Sequence, residues 1–347
     1  MNSLQEYATY REIGSQTESW AQALEVTRYL SLPRADQYQQ VIFTGCGSTY
    51  YLSLAAAALY QELTGCPARA VPAGELLLNP QTVVSRVVPN REAIATNLLI
   101  AVSRSGSTSE TVKAVQNFKD QRQGDVMVIS NYDRALSRFA DVNILIDKGQ
   151  EESVAQTRSF ASMFVAATAF AVRMAGREDL LDAMEALPEA GHSLIGAYEP
   201  FAEKIGSKLD FDRYYFLGSG FRYGLACEVN LKMKEMTLTH SEPFHFLEFR
   251  HGPMSMVNEK AVVVGMLSEA NRVHEAKVLA EMKSLGGTVA SLCETEADIE
   301  FRSAVPESVR GVLYLPVLQL MAFYRSVAKG LNPDRPKNLT AVVQLNL

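Results

Sequence analysis

The sequence predicts an α/β fold made of two tandem domains, each a parallel sheet flanked by helices. Two observations lead to this prediction. Short apolar runs typical of buried strands alternate with helical segments, as they do in parallel α/β sheets, and the same order starts again in the second half of the chain. A length of 347 residues, with 47% apolar and 21% charged residues, suits two globular domains with sizeable cores.

The first half opens with a helical segment and continues with strand–turn–helix units. Apolar side chains at helical spacing fill the opening segment, and a glycine-rich turn, Gly45 to Thr49, follows the first strand-like run. The predicted elements are a helix over 5–32, a strand over 41–44 with a helix to about Leu63, a strand over 98–102 with a helix to about Lys119, and strands over 126–130 and 143–146.

The second half repeats this pattern. When the segment that starts at Tyr214 is placed under the one that starts at Val41, six identities fall at a single offset of 173 (218 − 45). The identical pairs are Gly45 and Gly218, Gly47 and Gly220, Tyr50 and Tyr223, Glu62 and Glu235, Glu75 and Glu248, and Pro80 and Pro253. Such self-similarity indicates a duplicated domain. Chance agreement between two strand–turn–helix units is the alternative.

The repeat and the helical segments predict a division of the chain into four parts. Each α/β domain is expected to be a three-layer sandwich of the flavodoxin or Rossmann type, with ligand loops in the first domain and a catalytic helix and tail in the second. The parts are an N-terminal helical segment (1–34), the first domain (35–170), a helical linker (171–200) and the second domain (201–347).

Composition and charge argue against several classes of function. The net charge of −6 gives no reason to expect a nucleic-acid partner. Apolar runs such as 163–175 are too short to span a bilayer, and residues 1–14 lack the features of a signal peptide. The four cysteines include no CxxC pair, so neither a metal site nor a disulfide framework is indicated. We expect a cytoplasmic protein without membrane partner, metal or cofactor.

A loop rich in hydroxyl groups lies between the second strand and its helix. Its sequence, SRSGSTSET, begins at Ser103. Hydroxyls and free N–H groups at a helix N-terminus can hold an anion, and the helix dipole favours negative charge there. Gly106 permits the tight turn that bulkier residues would obstruct. The loop therefore predicts a site for a small phosphorylated ligand.

Helix capping and dinucleotide binding are the alternative roles for this loop. Serine and threonine before a helix often only cap it, although one cap needs one hydroxyl and residues 103–109 offer five. A dinucleotide site would need GxGxxG after a strand, and that motif is absent at every predicted strand end. Walker-type GKS and GKT sequences are absent as well, which argues against nucleotide hydrolysis.

Six segments occur in an order and at a spacing that resemble one family. They are REIGSQ (11–16), CGST (46–49), SRSGST (103–108), ESVAQTRSF (152–160), the stretch from Cys227 to Pro253, and DRPKNLTAVVQL (334–345). Together they resemble the sugar isomerase (SIS) family. Within it they are similar to the isomerase module of glutamine–fructose-6-phosphate transaminase and to SIS-type deaminases and isomerases of amino-sugar phosphates.

The chain departs from the resembled pattern at several points. Arg104 stands where the transaminase has Gln, and Arg158 where it has Lys. The Schiff-base lysine of the transaminase tail falls at Ala341, which argues against opening a ketose through a lysine imine. These 347 residues contain no counterpart of the glutaminase half with its cysteine nucleophile. We therefore expect no ammonia release from glutamine by that route.

The segment after Cys227 carries a candidate catalytic face. Glu228, Lys232 and Glu235 are spaced by four and three, which places them on one side of a helix. A carboxylate beside a cation could move a proton between C2 and C1 of a sugar, as aldose–ketose isomerisation and 2-amino-sugar deamination require. The resemblance implies that Glu235 is this base, with Glu228 and Lys232 holding hydroxyls and balancing charge. An exposed, salt-bridged helix face is the alternative.

The resemblance also implies the remaining site residues. His251, in FRHGP, corresponds to the ring-opening residue of the family, and an imidazole can exchange a proton near neutral pH. In the family this loop reaches the site of a neighbouring subunit, which implies a homodimer. The implied sugar and phosphate ligands are Cys46, Gly47, Ser48, Thr49, Ser103, Arg104, Ser105 and Thr108, with a weaker sugar contact from Thr157.

Three functions stay open on the sequence alone. The favoured one is a metal-free deaminase/isomerase of an amino-sugar 6-phosphate such as glucosamine 6-phosphate. The second is a deglycase of 6-phosphorylated fructosamines, which fits Ala341 because such a substrate already carries an amine at C1. The third is a phosphosugar sensor without turnover. Regulators of that kind usually carry a helix-turn-helix domain, and the sequence shows none.

Overall fold

The computed structural model describes residues 4–84 and 96–345, and the chain divides into two compact units. Unit 1 comprises Met1–Thr17, Glu151–Thr157 and Ala186–Leu339, and unit 2 comprises Glu18–Gln150, Arg158–Glu185 and Thr340–Leu347. The predicted domains also include residues 1–3, 85–95 and 346–347, which lie outside the described residues. The boundaries predicted at 34, 170 and 200 stay a prediction.

A long first helix begins in the residues of unit 1 and ends in those of unit 2. This is α1 (Ala8–Arg28), which confirms the helix predicted at the start of the chain. Its side chains Ile13, Trp20 and Ala23 are fully buried. Their spacing of seven and three is that of one helical face.

Unit 2 contains a five-stranded parallel sheet. Its strands, in chain order, are β1 (Tyr38–Gly45), β2 (Ala68–Pro72), β3 (Thr96–Ser103), β4 (Gly124–Ser130) and β5 (Val142–Leu145). They lie side by side in the order β2-β1-β3-β4-β5. The helices of this unit are α2 (Ser48–Thr64), α3 (Ala73–Leu78), α4 (Pro80–Val83), α5 (Ser109–Asp120), α6 (Arg158–Met174) and α7 (Glu178–Ala183).

The central strands form this sheet because their side chains are apolar on both faces. Ile42, Leu99 and Val128 are completely buried, and so are their neighbours along each strand. Continuous apolar runs of this kind are typical of parallel strands covered by helices on either side. All four strands predicted in the first half are present.

Unit 1 contains a second five-stranded parallel sheet. Its strands are β6 (Arg213–Leu217), β7 (His240–Phe244), β8 (Ala261–Met266), β9 (Thr288–Cys293) and β10 (Ile299–Glu300), in the order β10-β9-β8-β6-β7. The helices are α8 (Leu187–Gly206), α9 (Arg222–Thr237), α10 (Arg272–Ser284) and α11 (Pro316–Ala328).

The two sheets share one topology, because in each the first strand lies between the second and the third. Local geometry repeats too. A Cβ added to Gly45 would lie 2.7 Å from the carbonyl carbon of Thr49, and one added to Gly218 would lie 2.7 Å from that of Arg222. Only glycine fits either position. The predicted fold class is confirmed, and the repeated geometry supports duplication.

One segment, Gly311–Ala328, has the length and apolar character of a membrane span, with a mean hydropathy of 1.3. Within the described part of the chain, 89% of this segment is buried inside the protein. Such burial is typical of a helix in the core of a folded domain.

Candidate functional site

The loops predicted to bind phosphate begin at adjacent strands of unit 2. In open parallel sheets, ligands bind beyond the carboxyl ends of the strands at the point where the strand order reverses. In unit 2 this point lies between β1 and β3. The turn that begins at Cys46 follows β1, and the loop of residues 103–108 follows β3. Sheet topology therefore brings the two predicted ligand loops to one edge of the sheet.

The loop after β3 is held in shape by its own polar groups. Gly106 N donates to Ser103 Oγ at 3.2 Å, and Ser107 N donates to Ser105 Oγ at 3.2 Å. Ser105 Oγ also lies 3.4 Å from Thr108 Oγ1. Gly106 has φ +61°, and a Cβ there would lie 2.8 Å from Tyr132 O. Only glycine combines this backbone angle with that close approach.

The structure argues against simple capping as the reason for these hydroxyls. Thr108 is the residue before α5, and its side chain makes no capping hydrogen bond. Ser103, Arg104 and Ser105 are all at least nine-tenths buried at the end of β3. The hydroxyls of Ser103 and Ser105 instead accept from N–H groups of the loop itself, and their role in holding a ligand stays a prediction.

The turn after β1 is built around Thr49. Its Oγ1 accepts from Cys46 N at 2.9 Å and donates to Cys46 O at 3.0 Å. Cys46 Sγ lies 3.5 Å from Thr111 Oγ1, and burial raises the pKa of this thiol. Cys46 is therefore a neutral thiol near pH 7 and a polar contact, not a nucleophile. Gly47 is exposed at the start of α2, and Ser48 is buried beside it.

A contact that the sequence did not predict joins the tail to the phosphate loop. Arg104 Nη2 donates to Ala341 O at 2.8 Å, and Leu345 N donates to Ser109 Oγ at 3.2 Å. One indication of this contact was present in the sequence, in two departures from the family pattern. A cation is lost at Ala341 and one is gained at Arg104, and the two positions are in contact.

In unit 1, α9 brings the predicted catalytic residues together. Lys232 Nζ lies 2.5 Å from Glu235 Oε2 and 3.5 Å from Glu228 Oε1. The side chains of Lys232 and Glu228 are each 1% exposed, whereas that of Glu235 is 20% exposed. The alternative of an exposed, salt-bridged helix face is therefore wrong. Of the two carboxylates, Glu235 is the one a ligand can reach.

Lys232 is held as an ammonium ion inside the protein. Burial by itself lowers the pKa of this lysine, but Glu228 and Glu235 raise it, and the net effect is a pKa above the ordinary value. The positive charge is thus fixed next to Glu235. A fixed cation there can stabilise negative charge that develops on a sugar oxygen.

Two further carboxylates were missed at the level of sequence, and the charge of one of them, Glu151, acts on this face. Glu151 Oε1 accepts from Thr157 N at 2.7 Å and from Thr157 Oγ1 at 2.8 Å, and its charge contributes to the raised pKa of Lys232. Glu12 Oε1 accepts from Glu152 N at 2.5 Å, and burial raises the pKa of Glu12. The sequence could have indicated both carboxylates, because Glu12 lies in the segment REIGSQ (11–16) and Glu151 directly precedes ESVAQTRSF (152–160).

Thr157 and His251 have different surroundings from the catalytic face. Thr157 is fully buried and its hydroxyl is bonded to Glu151. A sugar contact from Thr157 stays a prediction. His251 is exposed on a turn after β7, where its backbone N donates to Glu248 O at 2.9 Å. Its imidazole is accessible to a ligand or to a second chain.

The described residues suggest no metal centre. Between residues 4 and 84 and between 96 and 345, no three His, Cys, Asp or Glu side chains are placed to hold a metal ion. That the reaction needs no metal stays a prediction from the sequence.

Comparison with known proteins decides the family. The family model described as the SIS domain matches residues 36–173 and 210–327, one match over each sheet. The chain belongs to the SIS domain family. The SIS segments contain both ligand loops of unit 2 and the whole of α9.

Among curated relatives, this SIS protein is similar to a glutamine–fructose-6-phosphate aminotransferase (isomerizing) of Pyrococcus horikoshii, with 28% identity over 88% of this chain and 52% of the relative. The chain spans about half the length of the curated relatives it matches. Two solved structures share the fold. A glucosamine-6-phosphate deaminase from Thermotoga maritima has TM-score 0.80 and 25% identity, covering 97% of this chain and 100% of that one. A tagatose-6-phosphate ketose/aldose isomerase from Escherichia coli has TM-score 0.79 and 22% identity, covering 95% and 96%.

Proposed function

We propose that the protein is a deaminase/isomerase of an amino-sugar 6-phosphate of the glucosamine 6-phosphate type. One observation supports it above the others: a buried ammonium, Lys232, is flanked by two carboxylates, and the one that is reachable is Glu235. This is the arrangement that proton transfer at a carbon next to a carbonyl requires. The similarity to a glucosamine-6-phosphate deaminase over almost the whole chain gives further support.

In the proposed reaction His251 donates a proton to the ring oxygen, the bond between that oxygen and C1 breaks, and the C1 hydroxyl releases its proton to water as the aldehyde forms. Glu235 then removes the proton from C2 and returns it to C1, which converts the C1 aldehyde and C2 amine into an alcohol and a C2 imine. Water adds to the imine, and ammonia leaves as the C2 ketone forms. Lys232 and Glu228 do not exchange protons in this scheme. They fix the position and charge of Glu235.

Phosphate binding is assigned to the loops of unit 2. Thr49, Ser103, Ser105 and Thr108 supply hydroxyls, and α5 contributes its N-terminal N–H groups. Arg104 adds the positive charge, because a guanidinium suits phosphate geometry. A guanidinium forms no imine with a carbonyl, so Arg104 supplies charge without the covalent chemistry of a lysine at position 341.

The deglycase of 6-phosphorylated fructosamines is the second candidate. It is favoured by one observation, the alanine at position 341. A fructosamine carries its own amine at C1, so no lysine is needed to activate the ketose. The same base would move a proton from C1 to C2, and hydrolysis of the resulting C1 imine would release an amino acid.

The assay that separates these candidates measures the released amine. Purified protein is incubated with glucosamine 6-phosphate, galactosamine 6-phosphate and a fructosamine 6-phosphate, and ammonia and free amino acid are both quantified. We expect ammonia from an amino-sugar phosphate. Amino acid release from the fructosamine alone would instead identify a deglycase. Micromolar binding without turnover of any substrate would indicate a sensor.

The phosphate assignment makes a prediction for Gly106→Ala. The new Cβ would meet Tyr132 O at a backbone angle that alanine rarely adopts, so the loop must rearrange. We expect affinity for glucosamine 6-phosphate, measured by calorimetry, to fall by about tenfold or more. Gly196→Ala is the matched control, because no atom lies within 4 Å of the added Cβ. Unchanged affinity in Gly106→Ala would argue against this loop as the phosphate site.

We also propose that the protein acts as a homodimer. The proposal rests on the family resemblance of the FRHGP loop and on the exposure of His251 in the single chain. Light scattering at assay concentrations tests it. A fully active monomer would contradict it.

A further inference from the structure

The second sheet has its own switch point, between β6 and β8. Strand register shows which residues correspond there to the phosphate loop. Thr44 pairs with Ala101 in unit 2 and Leu217 pairs with Gly265 in unit 1, so Ala101 and Gly265 are equivalent at an offset of 164 (265 − 101). The loop of residues 268–272 is therefore the counterpart of residues 104–108.

Three donors of this second loop are occupied by carboxylates. Ser268, the counterpart of Arg104, donates from its N at 2.6 Å and from its Oγ at 3.0 Å to Glu275 Oε2. Glu269 N donates to Glu307 Oε1 at 2.9 Å. Glu275 is the counterpart of Thr111 at the same offset of 164 (275 − 111). At this position the first repeat has a short, uncharged side chain, Thr111, and the second repeat has a carboxylate, Glu275.

The second carboxylate is fixed by a buried cation. Arg222 Nη2 forms an ion pair with Glu307, and Arg222 Nε donates to Tyr314 Oη at 3.0 Å. Tyr314 Oη in turn donates to Leu267 O at 2.5 Å, directly before the second loop. Arg222 is the counterpart of Thr49 by the repeat offset of 173. The position of the predicted ligand Thr49 is thus occupied in the second repeat by a cation that pairs internally.

We infer that the switch point of unit 1 is a closed counterpart of the phosphate site. The carboxylates of Glu275 and Glu307 take the N–H and hydroxyl donors that a phosphate would need, so each chain binds a single phosphosugar. The inference rests on the proposed role of residues 103–108 as the phosphate loop. It adds that the second repeat closes this position with acceptor oxygens of its own, since a shorter side chain at position 275 would leave the donors before α10 unpaired.

The test places threonine, the side chain found at Thr111 in the first repeat, at position 275. Glu275→Thr removes the internal anion and leaves room, whereas Glu275→Gln keeps the size and an acceptor oxygen and serves as control. Thermal unfolding is followed with inorganic phosphate and with chloride at equal ionic strength. We expect phosphate to raise the Tm of Glu275→Thr by about 3 °C or more beyond its effect on the wild type and on Glu275→Gln. Equal shifts in all three proteins would overturn the inference.

A second measurement uses the wild-type protein. Calorimetric titration with glucosamine 6-phosphate should give one site per chain, and two sites per chain would overturn the inference. If Glu275→Thr does not fold, the number of sites per wild-type chain decides whether the second site is closed. If the wild type binds no glucosamine 6-phosphate, the proposed function fails, and the phosphate-dependent Tm shifts still decide whether the second site is closed by Glu275.

Discussion

Glu235→Gln is expected to lower the kcat for glucosamine 6-phosphate by about 10²–10⁴-fold, the usual contribution of a positioned general base. The amide has the size of the carboxylate and still offers an oxygen to Lys232 Nζ, now 2.5 Å from Glu235. It has no basic oxygen to take the C2 proton. Steady-state kinetics with a coupled ammonia assay measures the loss, and calorimetry should show that the dissociation constant of the sugar is nearly unchanged.

The control for this variant is Glu259→Gln, because Glu259 is an exposed carboxylate of the same unit. It should keep full activity. Full activity in Glu235→Gln would remove Glu235 as the base. A large loss of affinity with little change in kcat would instead make Glu235 a binding residue.

Lys232→Met should destabilise the protein by about 3–5 kcal/mol, because it removes the ammonium that balances the charge of a buried carboxylate. Glu228 is 1% exposed and 3.5 Å from the lost ammonium. Denaturant unfolding followed by circular dichroism measures the change. Lys234→Met, at an exposed position of the same helix, is the control. Adding Glu228→Gln to Lys232→Met should recover part of the stability, and no recovery would show that the charge of Glu228 is not the cause of the loss.

The pH dependence of stability provides a second readout for Lys232. Its pKa is raised in the folded state, so the folded protein holds this proton more tightly than the unfolded chain does. The stabilisation that Lys232 contributes is therefore complete below the pKa of this lysine in the unfolded chain. It is lost as the pH rises through the pKa of Lys232 in the folded protein. Lys232→Met should therefore lose less stability than the wild type as the pH rises above 10.5, the ordinary pKa of lysine.

The fold could be predicted because its signals are local. The run Leu98–Val102 is apolar throughout, and the strands predicted over 41–44 and 98–102 are each followed by a turn with glycine and serine. The spacing of Glu228, Lys232 and Glu235 likewise placed them on one helical face. Their burial could not be predicted, because charged side chains at this spacing usually face water. Helix α9 is buried because β7 and α11 pack against it, and α11 is distant in the sequence.

The parts of the candidate sites that were missed depend on contacts between distant residues. Arg104 and Ala341 are 237 positions apart, and Glu12 and Ser153 are 141 positions apart. No periodicity or motif joins such pairs. The closed second switch point was missed for a similar reason. The sequence around Glu275 predicts a helix and shows no motif. That Glu275 accepts from the second loop is recognised only when strand register relates it to Thr111.

Proton transfer between C2 and C1 of an amino-sugar phosphate, the step on which the proposed activity of this SIS protein depends, can be followed by NMR in D₂O. Glucosamine 6-phosphate is incubated with the wild type and with Glu235→Gln, and the product is examined for solvent deuterium at C1. From the wild type we expect free ammonia and a ketose 6-phosphate, with deuterium at C1 wherever the carboxyl of Glu235 exchanges its proton with D₂O before it returns one to C1, and we expect neither product from Glu235→Gln in the same time. Unchanged substrate with the wild type, or equal conversion by both proteins, would contradict the proposed reaction.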